Sequence, residues 1–138
     1  MPQQYIVITG CGRLGSMLAN HLSREGDSVV VIDCDESTFN NLTSEFSGFT
    51  IHGDATELEV LRQAKVERAD YFLAVTSNDN VNLMIAQVAK LIFGVPLVLA
   101  RVFDPAREDI YAQLGINVVC PARLSADVFL QILRAEGK

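Results

Sequence analysis

The sequence predicts an α/β fold of Rossmann type, a doubly wound, six-stranded parallel sheet in the order 3-2-1-4-5-6. Three observations carry this reading. Short apolar, β-branched runs recur along the chain, as expected of strands buried on both faces. Helix-length segments with apolar residues three and four positions apart separate them. The first run leads directly into Gly10-Cys11-Gly12-Arg13-Leu14-Gly15, a glycine pattern that turns a strand into a helix.

Tyr5 to Thr9 reads as the first strand, and Leu14, Met17, Leu18 and Leu22 give the following segment a helical stripe that ends at Gly26. Ser28 to Asp33 is the second strand. Phe39, Leu42 and Phe46 are spaced for a helix over Ser37 to Phe46, ended by Gly48. Phe49 to His52 is a third strand, then a helix from Glu57 to Lys65 and a strand from Tyr71 to Val75. Asp79 to Phe93 is a long helical run, broken by Gly94-Val95-Pro96 before the strand Leu97 to Arg101. Asp104-Pro105 pairs an N-cap with proline at the first helical position of a segment reaching Leu114, before Gly115. Val118 to Cys120 closes the sheet, and Ser125 to Arg134 is an amphipathic helix whose apolar side packs on its own sheet or meets another subunit. Every strand is expected to be buried.

The 138 residues suit one domain over 1–138. Hydrophobic residues make up 49%, enough for a core without metals or disulfides. Cys11, Cys34 and Cys120 form no CxxC pair, which excludes a cysteine-built zinc site and fits a reduced, cytoplasmic setting. A net charge of −6 provides no basic stripe for a nucleic acid backbone. The longest apolar stretch, Leu91 to Ala100, contains Gly94 and Pro96 and falls short of the ~20 residues a membrane span needs.

The glycine loop carries the first chemical signal. Gly10 permits the tight turn, Gly12 lets the backbone approach a pyrophosphate, and Gly15 lets helix and strand pack closely. Free N–H groups at the helix start then hold phosphate. Asp33, at the end of the second strand, is placed to accept both ribose hydroxyls. No Lys or Arg follows it in Cys34-Asp35-Glu36, so NAD(H), ATP or ADP is favoured and NADP(H) is not. Arg13 suits a terminal phosphate or is an exposed arginine on the first helical turn. Asp54, in Gly53-Asp54-Ala55-Thr56, reads an adenine edge, or it and Thr56 cap the next helix.

Thr76-Ser77-Asn78-Asp79 lines the ligand or serves as an N-cap. Arg101 reaches a phosphate or pairs with Asp104. Cys11 and Cys34 read as buried small hydrophobes beside the nucleotide. No catalytic set can be assembled around His21 or His52, so an enzyme is not expected, and no metal ligand set is evident. An NAD-dependent oxidoreductase domain is the alternative reading. The 79–93 helix is apolar nearly all round and the last helix is apolar on one side; together they point to an oligomer.

In order along the chain, the glycine loop, Asp33, Gly53-Asp54-Ala55-Thr56, Ala74-Val75-Thr76-Ser77-Asn78-Asp79 and Ala100-Arg101-Val102 resemble the signatures of the TrkA-N or RCK-N family of potassium-conductance regulators. The resemblance implies a domain at the inner face of the plasma membrane, assembled as dimers or rings of dimers. Such assemblies bind NAD(H) or ATP/ADP and gate a membrane potassium transporter or channel subunit. It implies Gly12, Arg13, Asp33, Asp54 and Arg101 as ligand residues. With their neighbours Gly10, Cys11, Leu14, Gly15, Cys34, Gly53, Ala55 and Thr76, they make up the expected cofactor site. Ala122, after Pro121, lacks the acidic side chain that some relatives use for a metal-assisted contact.

Overall fold

The computed structural model describes residues 3–137. Its strands are β1 (Tyr5–Thr9), β2 (Ser28–Asp33), β3 (Phe49–His52), β4 (Tyr71–Ala74), β5 (Leu97–Arg101) and β6 (Asn117–Val119). They form one parallel sheet in the expected order β3-β2-β1-β4-β5-β6. The helices are α1 (Arg13–Arg24), α2 (Leu58–Gln63), α3 (Asp79–Gln87), α4 (Glu108–Gln113) and α5 (Pro121–Glu136).

Alternation along the strands sends neighbouring side chains to opposite faces. Val7, Val30, Ile32, Phe72 and Val98 meet α2, α3 and α4 through Leu61, Ile85 and Tyr111 on one face. Ile6, Ile8, Val29 and Val31 meet α1 through Ala19 on the other, with Leu14, Leu18 and Leu22 alongside. The order reverses beside β1: Thr9 and Ala74 are still paired, but the connections after them lead to α1 and α3 on opposite faces and leave a crevice between.

Four expectations are corrected. The Ser37–Phe46 segment is not an α-helix; only Glu36–Asn41 winds, as a 3₁₀ turn. Asp35 caps the turn by accepting from the Ser37 N–H, but the backbone turns extended at Leu42, and the Thr43 N–H donates to Asn20 Oδ1 instead of continuing a helix. Phe39, Leu42 and Phe46 still pack beside α1. The 79–93 run changes pitch, with a π-helical turn at Val88–Ile92 following α3. The 104–114 segment divides into a 3₁₀ turn (Pro105–Arg107) and α4, although Asp104 does cap it by accepting from the Ala106 N–H.

The fourth correction concerns burial. Not every strand is covered: β3 and β6, at the sheet edges, have no buried residue. In β4 to β6 the positions facing away from α3 and α4, among them Leu73, Leu97, Leu99 and Val119, stay partly open. The last helix begins earlier than expected, at Pro121, and buries none of its residues, so it does not pack on its own sheet. Leu124, Val128, Phe129, Ile132 and Leu133 all face solvent.

Stability should follow this division. Phe72→Ala empties the fully buried centre of the sheet and should cost about 3–5 kcal/mol. Phe49→Ser, at an edge position 74% exposed, should stay within about 0.5 kcal/mol in the same urea titrations.

Candidate functional site

The crevice at the strand C-termini holds a cavity of about 540 Å³. Its walls come from the glycine loop, the ends of β2 and β3, the segment after β4, and Arg101 at the end of β5. Every one of these is a place where a strand stops.

The glycine loop is shaped by backbone contact. Gly10 has φ +102°, and a Cβ there would stand 2.7 Å from the Val75 carbonyl oxygen. A Cβ at Gly15 would stand 1.8 Å from the Gly10 carbonyl oxygen. A Cβ at Gly12 would meet nothing within 4 Å, because that position faces the open cavity. Gly12 is also the N-cap of α1, and neither a side-chain cap nor an acidic residue occupies the helix's first turn. The positive end of the helix dipole is therefore left to an anion in the cavity.

Asp33 holds this loop from the neighbouring strand. Its Oδ2 accepts the Cys11 N–H at 2.7 Å and its Oδ1 accepts the Asp35 N–H at 2.8 Å. Each carboxylate oxygen keeps a second lone pair, so two hydroxyl donors can still be accepted from the cavity. Asp54 closes a turn on itself by accepting from the Thr56 backbone N–H (2.9 Å) and hydroxyl (2.7 Å). Those bonds, the backbone one first, hold its carboxyl below the usual carboxylate range. Neither Asp54 nor Thr56 caps α2, whose N-cap is Glu57 without a side-chain bond.

On the opposite wall, Asn78 caps α3 by accepting from the Val81 N–H. Arg101 does not pair with Asp104; Arg107 lies beside that carboxylate, at 4.0 Å. Arg101 Nη2 instead donates to the carbonyls of Val75 (2.9 Å) and Thr76 (3.1 Å), and the guanidinium lies 4.6 Å from the centroid of the Phe103 ring. Burial lowers its pKa while Asp79 opposes that shift. Its Nε is buried with no partner.

The structure thus brings Gly10, Gly12, Asp33, Cys34, Gly53, Asp54, Ala55, Thr76 and Arg101 to one cavity. The side chains of Cys11 and Leu14 turn into the core, Gly15 is buried against the loop, and Arg13 is exposed on α1 outside the cavity wall. Cys34 was expected to be buried but is exposed on the wall.

Asn82 was missed. It is fully buried and satisfied on both sides: Oδ1 accepts from the Thr76 N–H (2.9 Å) and hydroxyl (2.7 Å), while Nδ2 donates to the carbonyls of Thr76 (3.1 Å) and Arg101 (3.0 Å). One amide thereby fixes both sides of the β4–β5 wall. The signal lay in the sequence: an amide within an otherwise apolar helical stretch must find buried partners. Asp79 performs a parallel task, accepting from the N–H groups of Phe103 (2.9 Å) and Asp104 (3.1 Å).

A larger groove of about 750 Å³ opens at the other end of the sheet, between the C-terminal ends of α1 and α2. It has no glycine loop and no helix start. Among the described residues, no group of three or more His, Cys, Asp or Glu could hold a metal ion, and no helix is long and apolar enough to cross a membrane.

Residues 6–121 match the TrkA-N domain family. The chain is 44% identical over 133 residues to the Trk system potassium uptake protein TrkA of Streptomyces coelicolor, covering 96% of this chain and 60% of that protein. It is 33% identical to a TrkA homolog of Pyrococcus abyssi, covering 96% and 61%. The chain therefore spans about three-fifths of the length of these relatives. Among solved structures, the RCK domain of GsuK superposes with a TM-score of 0.81 at 26% identity, over 98% of this chain and 29% of that one. GsuK structures bound to ADP and to NAD superpose at 0.74 and 0.70, with 20% and 23% identity. They cover 89% and 87% of this chain, and 32% and 22% of theirs.

Two outcomes test the geometry. Asn82→Leu removes four hydrogen bonds, leaving the Thr76 N–H and the Arg101 carbonyl without their partner, and should cost about 2–4 kcal/mol by urea denaturation. In a thiol titration of the folded protein Cys34 should react first. Cys11, whose burial and nearby Asp33 push its pKa up to about 11, should react only on unfolding, as should buried Cys120.

Proposed function

Because the chain belongs to the TrkA-N domain family, we propose that residues 1–138 form one cytoplasmic nucleotide-sensing regulatory unit of a potassium uptake transporter or channel. The unit binds NAD(H) or ATP/ADP and changes the geometry of an oligomer at the inner face of the membrane. The observation that carries this reading is the pairing of Asp33, with spare acceptor capacity, and the uncapped start of α1 across the open space at Gly12.

The adenosine ribose belongs on Asp33 and the phosphates at the N–H groups of the α1 start. A 2′-phosphate would enter beside Asp33 and Asp35, two negative charges on one strand end. The charged side chains on the wall are engaged in holding backbone: Asp33 to Cys11 and Asp35, Asp35 to Ser37, Asp54 to Thr56, Arg101 to two carbonyls. That arrangement suits ligand retention better than proton exchange with a substrate. Arg13, exposed at the start of α1, is placed for a terminal phosphate extending out of the cavity.

The oligomer follows from surfaces the monomer leaves bare. The open face of β4 to β6 and the uncovered apolar side of α5 are each too apolar to stand alone in a 15.1 kDa chain. In a dimer each copy's α5 can cover its partner's sheet. A ligand then shifts the assembly only to the extent that it prefers one arrangement.

Calorimetry should find NAD and ADP binding and NADP bound far more weakly. NADP binding as tight as NAD overturns the ribose assignment. Asp33→Ala should cost about 1–3 kcal/mol of NAD or ADP affinity. Light scattering should give a mass above that of the monomer, and Phe129→Asp with Leu133→Asp should reduce it to one chain. A wild-type monomer at high concentration, with and without nucleotide, overturns the assembly.

A further inference from the structure

We propose that His52 is a positioning residue for the ribose side of the cavity, a protonation-dependent latch on the loop after β2. Its effect on affinity rests on the nucleotide reading above; the latch itself rests on geometry alone.

His52 ends β3 and lies opposite Asp33 in the strand register. Its Nε2 is 3.1 Å from the carbonyl oxygen of Cys34, and its Nδ1 is 3.2 Å from Glu36 Oε2. Both neighbours are acceptors and neither can donate. A neutral imidazole has one N–H, so one contact would set a lone pair against an oxygen; the imidazolium satisfies both. The charged groups around the ring are carboxylates: Glu36 on the 3₁₀ turn, Asp35 on the loop, whose charge interacts with the ring, and Asp33, its register partner on β2.

What the ring holds is a cavity wall. Cys34, Asp35 and Thr38 line the cavity. The Asp35 N–H donates to Asp33 Oδ1, the Thr38 hydroxyl donates to the Asp35 carbonyl, and Asn41 Nδ2 donates to the Cys11 carbonyl. The loop, the 3₁₀ turn and the glycine loop are therefore one chain of bonds. Loss of the ring proton breaks one of the two contacts, to Cys34 or to Glu36, and adds net negative charge beside a site for anions. Both changes act against a bound nucleotide.

NAD is the probe, because its pyrophosphate keeps one charge state from pH 5.8 to 8.2. Its affinity for the wild-type protein should be about three- to five-fold higher near pH 5.8 than near pH 8.2. His52→Gln, with one donor and no titration, should abolish that slope, and Glu36→Gln should flatten it. His21→Gln should preserve it, since His21 sits on α1 beside Glu25. In the ligand-free protein, amide exchange at residues 34–41, corrected for the intrinsic effect of pH, should quicken as pH rises in wild type and not in His52→Gln. A slope that survives in His52→Gln, or bound NAD with no slope in wild type, overturns the proposal. If neither NAD nor ADP binds at any pH, the nucleotide reading falls by itself and exchange decides the latch: pH-independent protection overturns it, and pH-dependent protection lost in His52→Gln upholds it.

Discussion

A Cβ on Gly15 would lie 1.8 Å from the carbonyl oxygen of Gly10, so the first turn of α1 can close on the loop only if that side chain is absent. This contact sets the direction of α1, and with it the orientation of the free N–H groups toward the cavity. It also brings the Cys11 N–H within reach of Asp33. The acid that would meet a ribose is thus the acid that fixes the phosphate loop, and a ligand would bridge two parts already joined. Removing the carboxylate loosens the site before any ligand arrives.

The other wall is organised from inside a helix. Asn82 reaches from α3 to both Thr76 and Arg101, and Asp79, one turn earlier, reaches to Phe103 and Asp104. Tyr111 of α4 donates its hydroxyl to the Asp79 carbonyl at 2.6 Å. Movement at the β4 end of the cavity is therefore shared with α3, with the loop after β5 and with α4. A rigid helix with polar contacts at its start is well suited to carry a small displacement away from the crevice.

The sheet order and the glycine loop were legible because they are local signals repeated in order: apolar runs, a turn pattern, an acid at a strand end. The 37–46 segment was misread because Phe39, Leu42 and Phe46 have helical spacing, while Leu42 is extended and Asn20 takes the Thr43 N–H that a continuing helix would need. The placement of α5 could not be read at all. Amphipathicity says that Val128, Phe129 and Ile132 require a cover, and is silent on whether the same chain supplies it. Arg101 was found by its position, but its engagement with the carbonyls of Val75 and Thr76 depends on a wall built from another helix. Cys34 was misjudged since a strand-end residue is buried or bare according to the loop that follows.

β1 lies in the middle of the sheet, yet it is synthesised before either of its neighbours. Ile6, Val7 and Ile8 gain a first partner when β2 emerges from the ribosome and a second only when Tyr71–Ala74 follows. During that interval a strand built for burial on both faces has one edge open, and the closing contact spans most of half the chain. Parallel pairing at such separation is slow to form and vulnerable while it waits. The arrangement that creates the crevice beside β1 therefore also sets the step in biogenesis at which the nascent chain most needs protection.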